Sequence, residues 1–194
     1  VELVAQAPLP AALAEHNVAF DIGTGTGVLA AVLARRGVGQ VLATDLEPRA
    51  LACARDNIER LGLTEHVKLQ QADLYPGGQA GLIVCNPPWL PGRAGSSLER
   101  AVYDPDSRML TGFIGGLANH LEPGGEGWLI LSDLAEHLGL RARAELLATW
   151  NKSSASREQM LAHLQDWVAR AEASGIRALQ DAALRIRSYR PAAA

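Results

Sequence analysis

The sequence predicts an α/β chain built on a doubly wound, mostly parallel sheet with helices on both faces. Three observations carry that expectation. Between residues 18 and 131, short apolar runs suited to buried strands alternate with stretches of helical spacing. The first strand and helix are joined by Asp21-Ile22-Gly23-Thr24-Gly25-Thr26-Gly27, with three glycines in five residues. The fourth apolar run, residues 81–85, is unbroken, as a central parallel strand covered on both faces should be.

The 194 residues, 48% apolar and 20% charged, supply one well-buried core and too little material for two. Residues 1–17 read as a helical lead-in, broken at Pro8 and Pro10 and resumed over residues 11–16, and residues 18–194 as the main domain. Val18–Ile22 is the first strand and Val28–Arg35 the first long helix, stopped by Gly37. Residues 40–44 form the second strand, ending at Asp45. Pro48 suits the first turn of a helix with Leu51, Ala54, Ile58 and Leu61 on one face and Gly62 as its cap. Val67–Gln71 is the third strand and leads into Ala72-Asp73-Leu74.

Beyond the fourth strand lie Asn86-Pro87-Pro88-Trp89 and a polar loop, residues 90–100, expected to cover or admit a ligand. Met109, Phe113, Leu117 and Leu121, four apart, read as a core stripe on the next helix. Residues 122–127, Glu-Pro-Gly-Gly-Glu-Gly, turn the chain into a fifth strand over residues 128–131. Residues 138–150 and 157–173 read as helices joined by a polar link at 151–154. Residues 176–189 remain for further strands, although 178–184 suit a helix equally.

Composition narrows the function. No run of about 18 apolar residues and no charged-then-apolar leader is present, so neither a membrane span nor a signal peptide is expected, and the expected location is cytoplasmic. Cys53 and Cys85 make no disulfide framework and read as reduced packing residues. His16, His66, His120, His137 and His163 lack the spacing of a zinc site, so no metal is expected. Residues 1–140 hold 9 basic and 16 acidic side chains, whereas residues 141–194 hold 9 basic and 5 acidic, so the C-terminal part is basic. That basic part reads as a solvated helical face or as a surface for phosphates.

The glycine turn is a ligand seat, since glycines without Cβ let a ligand lie against main-chain N–H groups where a helix opens. A dinucleotide loop is disfavoured by spacing, because the third glycine of that fingerprint would fall at Val28. Asp21 would also repel a pyrophosphate, whereas it suits a cation. S-adenosylmethionine carries a sulfonium and an ammonium, with a carboxylate that can take N–H bonds from the loop.

On this segment the sequence resembles the class I S-adenosylmethionine-dependent methyltransferases, whose first motif it matches. The resemblance implies a Rossmann-like sheet in the order 3-2-1-4-5 with further C-terminal strands, and S-adenosylmethionine as cofactor. It implies that Asp21, Gly23, Thr24, Gly25 and Gly27 hold the methionine part. Asp45, 22 residues after Gly23 and at the next strand's end, would accept the ribose hydroxyls, with Leu46 beside it. A helix-start cap is the competing role for Asp45. By the same resemblance Asp73 would accept from the exocyclic amine of adenine, with Leu74 against the base.

Asn86-Pro87-Pro88-Trp89 is similar to the asparagine-proline-proline-aromatic motif of the family's nitrogen methyltransferases, which act on adenine or guanine amines or on the glutamine of translation release factors. A delocalised amide or aryl amine is a poor nucleophile. Asn86 Oδ1 and the Pro87 carbonyl can both accept from its NH₂, while Trp89 stacks on the flat group that bears it. Asn86 would border the cofactor as well. The segment Ala101-Val102-Tyr103-Asp104-Pro105 resembles the valine-x-x-tyrosine-glutamate-proline stretch of the glutamine enzymes, but with Asp104 for the glutamate and without the glycine-rich run that follows it there.

The expected partners are therefore RNA, DNA or a protein substrate, with nucleic acid slightly favoured; the oligomeric state is left open. Two rivals stand beside N-methyl transfer: a non-catalytic domain of the same fold that binds nucleic acid or protein, and a nicotinamide oxidoreductase, for which only the glycines speak.

Overall fold

The computed structural model describes residues 1–90, Gly95, 102–131 and 182–187. Short helices α1 (Glu2–Gln6) and α2 (Leu13–His16) precede β1 (Val18–Ile22), α3 (Val28–Arg35), β2 (Gln40–Asp45), α4 (Pro48–Arg60), β3 (Val67–Gln71), β4 (Ala80–Cys85), α5 (Arg108–His120), β5 (Leu121–Leu131) and β6 (Ala182–Arg187). The strands lie in the order β3-β2-β1-β4-β5-β6. All neighbours run parallel except β6, which is antiparallel to β5. This is the expected 3-2-1-4-5 sheet, with β6 as a further C-terminal strand among the described residues. The polar loop after Leu90 and the helices expected over 138–150 and 157–173 lie outside the described residues, as does the basic stretch apart from β6.

Alternation along the central strands sorts the core into two layers. Ala19, Leu82, Val84, Trp128 and Ile130 face a cluster completed by α1, α2, α3 and α4. Phe20, Ile22, Ile83, Cys85 and Leu129 face the other, completed by Leu110, Phe113, Ile114 and Leu117 of α5. Asp21 falls in the same alternation as Ala19, on the α3 side, and that placement governs its role below. No helix among the described residues is long and apolar enough to cross a membrane.

Four local expectations are corrected. The fifth strand begins at Leu121 rather than 128. Ala80 pairs with Leu121 and Leu82 with Glu126, so residues 122–125 leave the ladder as a bulge, with Gly124 at φ +75°. The proline-glycine turn is real, but strand pairing continues on both sides of it. Leu121 consequently leaves the α5 stripe, and the buried face of that helix is Leu110, Phe113, Ile114 and Leu117. Leu61 is exposed and Leu63, beyond the Gly62 turn, packs inward in its place. Cys85 is buried, but Cys53 is exposed and is not a packing residue.

Candidate functional site

In a sheet of this order β1 and β4 are adjacent while the chain winds away from them in opposite directions, which opens a crevice beyond their carboxyl ends. Asp21 lies opposite Val84 and Ile22 opposite Cys85, so Gly23 and Asn86 leave the sheet side by side. A cavity of about 560 Å³ occupies that crevice, and Gly23, Thr24, Gly25, Asp45, Leu46, Asp73, Leu74 and Asn86 all line it. Asp21, Gly27, Pro87 and Trp89 do not reach its wall.

The glycine loop is shaped by left-handed backbone at Gly23, Gly25 and Gly27, with φ of +69°, +56° and +80°. Thr24 N–H donates to the Thr44 carbonyl at 2.8 Å and Gly27 N–H to the Thr24 carbonyl at 2.9 Å, which folds the loop back on the sheet. Thr26, Val28 and Leu29 line the cavity. Their N–H groups take no partner among the described residues, so three main-chain donors remain at the opening of α3.

Beneath the loop Asp21 is 1% exposed. Its Oδ2 accepts from the Thr24 hydroxyl at 2.6 Å and from Ala30 N–H at 2.9 Å, bracing both sides of the turn. Its Oδ1 is buried with no partner among the described residues. Burial pushes its pKa up to about 6, against the two hydrogen bonds that favour the ionised form. Such a carboxylate favours a cation in its neighbourhood, although it acts through the loop and not from the cavity wall.

Asp45 braces the glycine loop and the turn that leads into α4. Oδ2 accepts from Gly25 N–H at 2.9 Å, tying β2 to the loop, and Oδ1 accepts from Glu47 N–H at 2.9 Å, the local turn that starts α4. Each oxygen keeps lone-pair capacity for a further donor, and the residue lines the cavity. Leu46 is half exposed there. Asp73 pairs with Arg108. Leu74 has φ +73°, and its carbonyl accepts from the Thr44 hydroxyl at 2.5 Å, so β2 holds the corner after β3.

Asn86 is exposed at the cavity rim, and Pro87 behind it is buried. The Trp89 indole N–H donates to Asn86 Oδ1 at 3.1 Å. The indole thus orients the Asn86 amide; in this structure it does not itself form a wall of the cavity. Leu90 and Tyr103 form a parallel bridge, with Leu90 N–H on the Val102 carbonyl at 3.1 Å and Asp104 N–H on the Leu90 carbonyl at 2.8 Å. The bridge brings Tyr103, Asp104 and Pro105 to the cavity.

Sequence reasoning missed Tyr103, Arg108 and Met109 as wall residues. The Met109 side chain covers the loop so closely that a Cβ on Gly23 would lie 2.2 Å from its Cε. Met109 is thus a cavity residue at the head of a stripe whose Phe113 and Leu117 are core. A signal was present in Asp104-Pro105, an acidic residue and a proline ahead of an apolar helical pattern. Both Asp104 oxygens cap α5, accepting from Met109 N–H at 2.9 Å and Leu110 N–H at 3.1 Å. No cluster of metal-ligating side chains occurs among the described residues.

The chain is similar to a release factor glutamine methyltransferase of Cereibacter sphaeroides, 35% identical over 123 residues that are 61% of this chain and 41% of the relative. It is similar to a ribosomal protein L11 methyltransferase of Pelotomaculum thermopropionicum, 44% identical over 69 residues, 34% of this chain and 22% of the relative. The chain thus spans less than half the length of these curated relatives. Among solved structures, an O-methyltransferase family protein from Burkholderia thailandensis shares the fold, with a TM-score of 0.58 at 18% identity over 80% of this chain and 49% of that one. Glycine loop, strands β1 to β5 and crevice fall within residues 5–142, which match the Methyltransferase small domain, and to that family the chain belongs.

Proposed function

We propose that the chain binds S-adenosylmethionine in the crevice between β1 and β4 and transfers its methyl group to a planar nitrogen. The observation that carries this reading is the convergence on one cavity of the glycine loop, the Asp45 and Asp73 carboxylates and the Asn86 amide. Two observations support the fit. A Cβ on Gly25 would meet nothing within 4 Å, leaving open space against bare backbone, and beneath the loop the buried Asp21 Oδ1 has no partner among the described residues, so a positive charge nearby would stabilise it through the loop.

On this reading the free N–H groups of Thr26, Val28 and Leu29 take the carboxylate, Asp45 the ribose hydroxyls, and Asp73 with Leu74 the base. When bound, the cofactor supplies an electrophilic methyl on sulfonium. Asn86 Oδ1, already turned by Trp89, and the Pro87 carbonyl accept from the acceptor NH₂ and aim its lone pair into the cavity. Held there, the cofactor would supply its methyl to that lone pair and would leave as the neutral thioether. The methylated nitrogen then sheds its proton to solvent, because alkylation makes that proton acidic, so no strong base is required of the chain. Met109 and Tyr103 keep water from the reacting groups.

The acceptor we favour is a protein amide or amine. The names of the two relatives support this, and Asn86 and Pro87 suit a glutamine carboxamide as well as they suit a base amine. Titration calorimetry with S-adenosylmethionine tests the cofactor, and absence of binding removes the reading. Transfer of labelled methyl into cell lysate treated in parallel with ribonuclease or protease tests the acceptor. Label that survives protease and is lost to ribonuclease would replace protein with RNA.

A further inference from the structure

Arg108, Gly112, Gly116 and His120 recur every fourth residue along α5, forming one ridge beside the apolar stripe. That ridge meets three consecutive residues of the corner after β3. The Arg108 guanidinium donates to Asp73 Oδ2. A Cβ on Gly112 would lie 2.3 Å from Leu74 Cδ1, and one on Gly116 2.3 Å from Tyr75 Cε2. The His120 ring stacks on Tyr75 with centroids 4.2 Å apart, and the Tyr75 hydroxyl donates to the Phe113 carbonyl. Glycine at 112 and 116 lets the helix close on the corner, which Thr44 holds from the other side through the Leu74 carbonyl.

Two of the three corner residues, Asp73 and Leu74, line the cavity, and so does Arg108 at the head of the ridge. Arg108 and Asp73 are 63% and 48% exposed in their side chains, and an ion pair that open to solvent contributes little to folding. Its effect is on orientation. Asp73 sits in a turn where a free carboxylate would sample several rotamers. Pairing Oδ2 with a helix-borne guanidinium selects one of them and leaves Oδ1, which has no partner among the described residues, as the acceptor available to a ligand.

We infer that Arg108 is a positioning residue for base recognition: it fixes the Asp73 carboxylate so that the remaining oxygen selects a purine bearing an exocyclic amine. The inference rests on the S-adenosyl reading above and deepens it. Arg108 itself makes no contact with the base in this account. Its contribution is the ordering that Asp73 would otherwise undergo when ligand binds, about 2- to 10-fold in affinity.

Titration calorimetry with S-adenosylhomocysteine and with its deaminated analogue, in which a carbonyl replaces the exocyclic amine, tests it on the full chain. The unaltered protein should prefer the amine by about 10-fold, the worth of one well-placed hydrogen bond. Arg108→Ala should reduce that preference several-fold by weakening the amine-bearing ligand alone. Arg108→Lys should restore part of it, and the thermal midpoint should stay unchanged in both. An unchanged preference in Arg108→Ala overturns the inference, as does tighter binding of the amine-bearing ligand, which would make Arg108 a competitor for the carboxylate. Failure of the unaltered protein to bind either ligand would remove the S-adenosyl reading, and this inference with it.

Discussion

The Trp89 indole N–H donates to Asn86 Oδ1 at 3.1 Å, across the two prolines that separate them. Proline fixes φ at both intervening positions, so little else in the segment can turn, and the bond sets the plane of the amide. Trp89→Phe keeps an aromatic ring and removes the donor. Methyl transfer should fall by about 3- to 10-fold, the range of one neutral hydrogen bond, with cofactor affinity unchanged. Asn86→Ala should lower transfer by about 100-fold or more, as loss of a group that acts on the transition state does. Single-turnover rates beside calorimetric affinities separate the two quantities. A Trp89→Phe protein with full activity would assign the indole to packing alone.

Asp21 predicts a pH dependence with a definite sign. Its folded pKa, about 6, lies above the unfolded value of 3.8, so between these values the folded protein holds the proton and the unfolded chain does not. Its contribution to stability is full below about pH 4 and is lost as pH rises through 6, by about 3 kcal/mol in total. Asp21→Asn should therefore flatten the pH dependence of urea midpoints between pH 4 and 7. Binding runs the other way: a cationic ligand favours the ionised carboxylate, so affinity for S-adenosylmethionine should rise as pH passes 6. The rise should be smaller for S-adenosylhomocysteine, which lacks the sulfonium charge. Parallel pH profiles for the two ligands would show that Asp21 does not respond to that charge.

Much of this was legible in sequence because it is local. The bounds of β1 and α3 follow from an apolar run and glycine stops alone, and the glycine loop and Asn86 motif occupy the adjoining strand tips that the doubly wound order requires. What escaped is long-range. That Met109 covers Gly23, that Arg108 meets Asp73, or that Leu121 pairs with Ala80 depends on how α5 lies across the sheet, and no spacing within a single segment encodes it. The small residues Gly112 and Gly116 read as weak points of a helix in isolation, and only their contacts with Leu74 and Tyr75 explain them. Asp21 shows the opposite failure. Its place at a strand tip was right, but the period-two alternation directs it under the loop rather than into the crevice.

Asp104 caps α5 with both oxygens while 5% exposed. Asp104→Ala leaves one buried and one half-buried N–H group without acceptors and should cost about 1–2 kcal/mol, a thermal midpoint lower by roughly 2–8 °C for a chain of this size. Because α5 carries Arg108 and Met109 to the cavity, cofactor affinity should fall as well. Asp104→Asn, which keeps one acceptor, should lose less of both. Thermal melts with and without S-adenosylhomocysteine check the pair of effects, and an unchanged midpoint in Asp104→Ala would mean that water replaces the cap.

Gly25 and Gly27 share left-handed backbone but differ in surroundings, and the difference separates binding from folding. At Gly27, φ is +80° and a Cβ would lie 3.2 Å from Ala54 Cβ, so the loop and α4 would have to move apart. Gly27→Ala should cost about 1–2 kcal/mol for the backbone and more for the contact, read as a lower thermal midpoint with or without ligand. At Gly25, which lines the cavity, φ is +56° and a Cβ would meet nothing within 4 Å. Gly25→Ala carries the same backbone cost, but its methyl stands where a ligand must approach bare main chain. It should lower S-adenosylmethionine affinity by more than 10-fold while its ligand-free midpoint falls less than that of Gly27→Ala. Equal affinity in Gly25→Ala and the unaltered protein would place the ligand elsewhere than on the glycine loop.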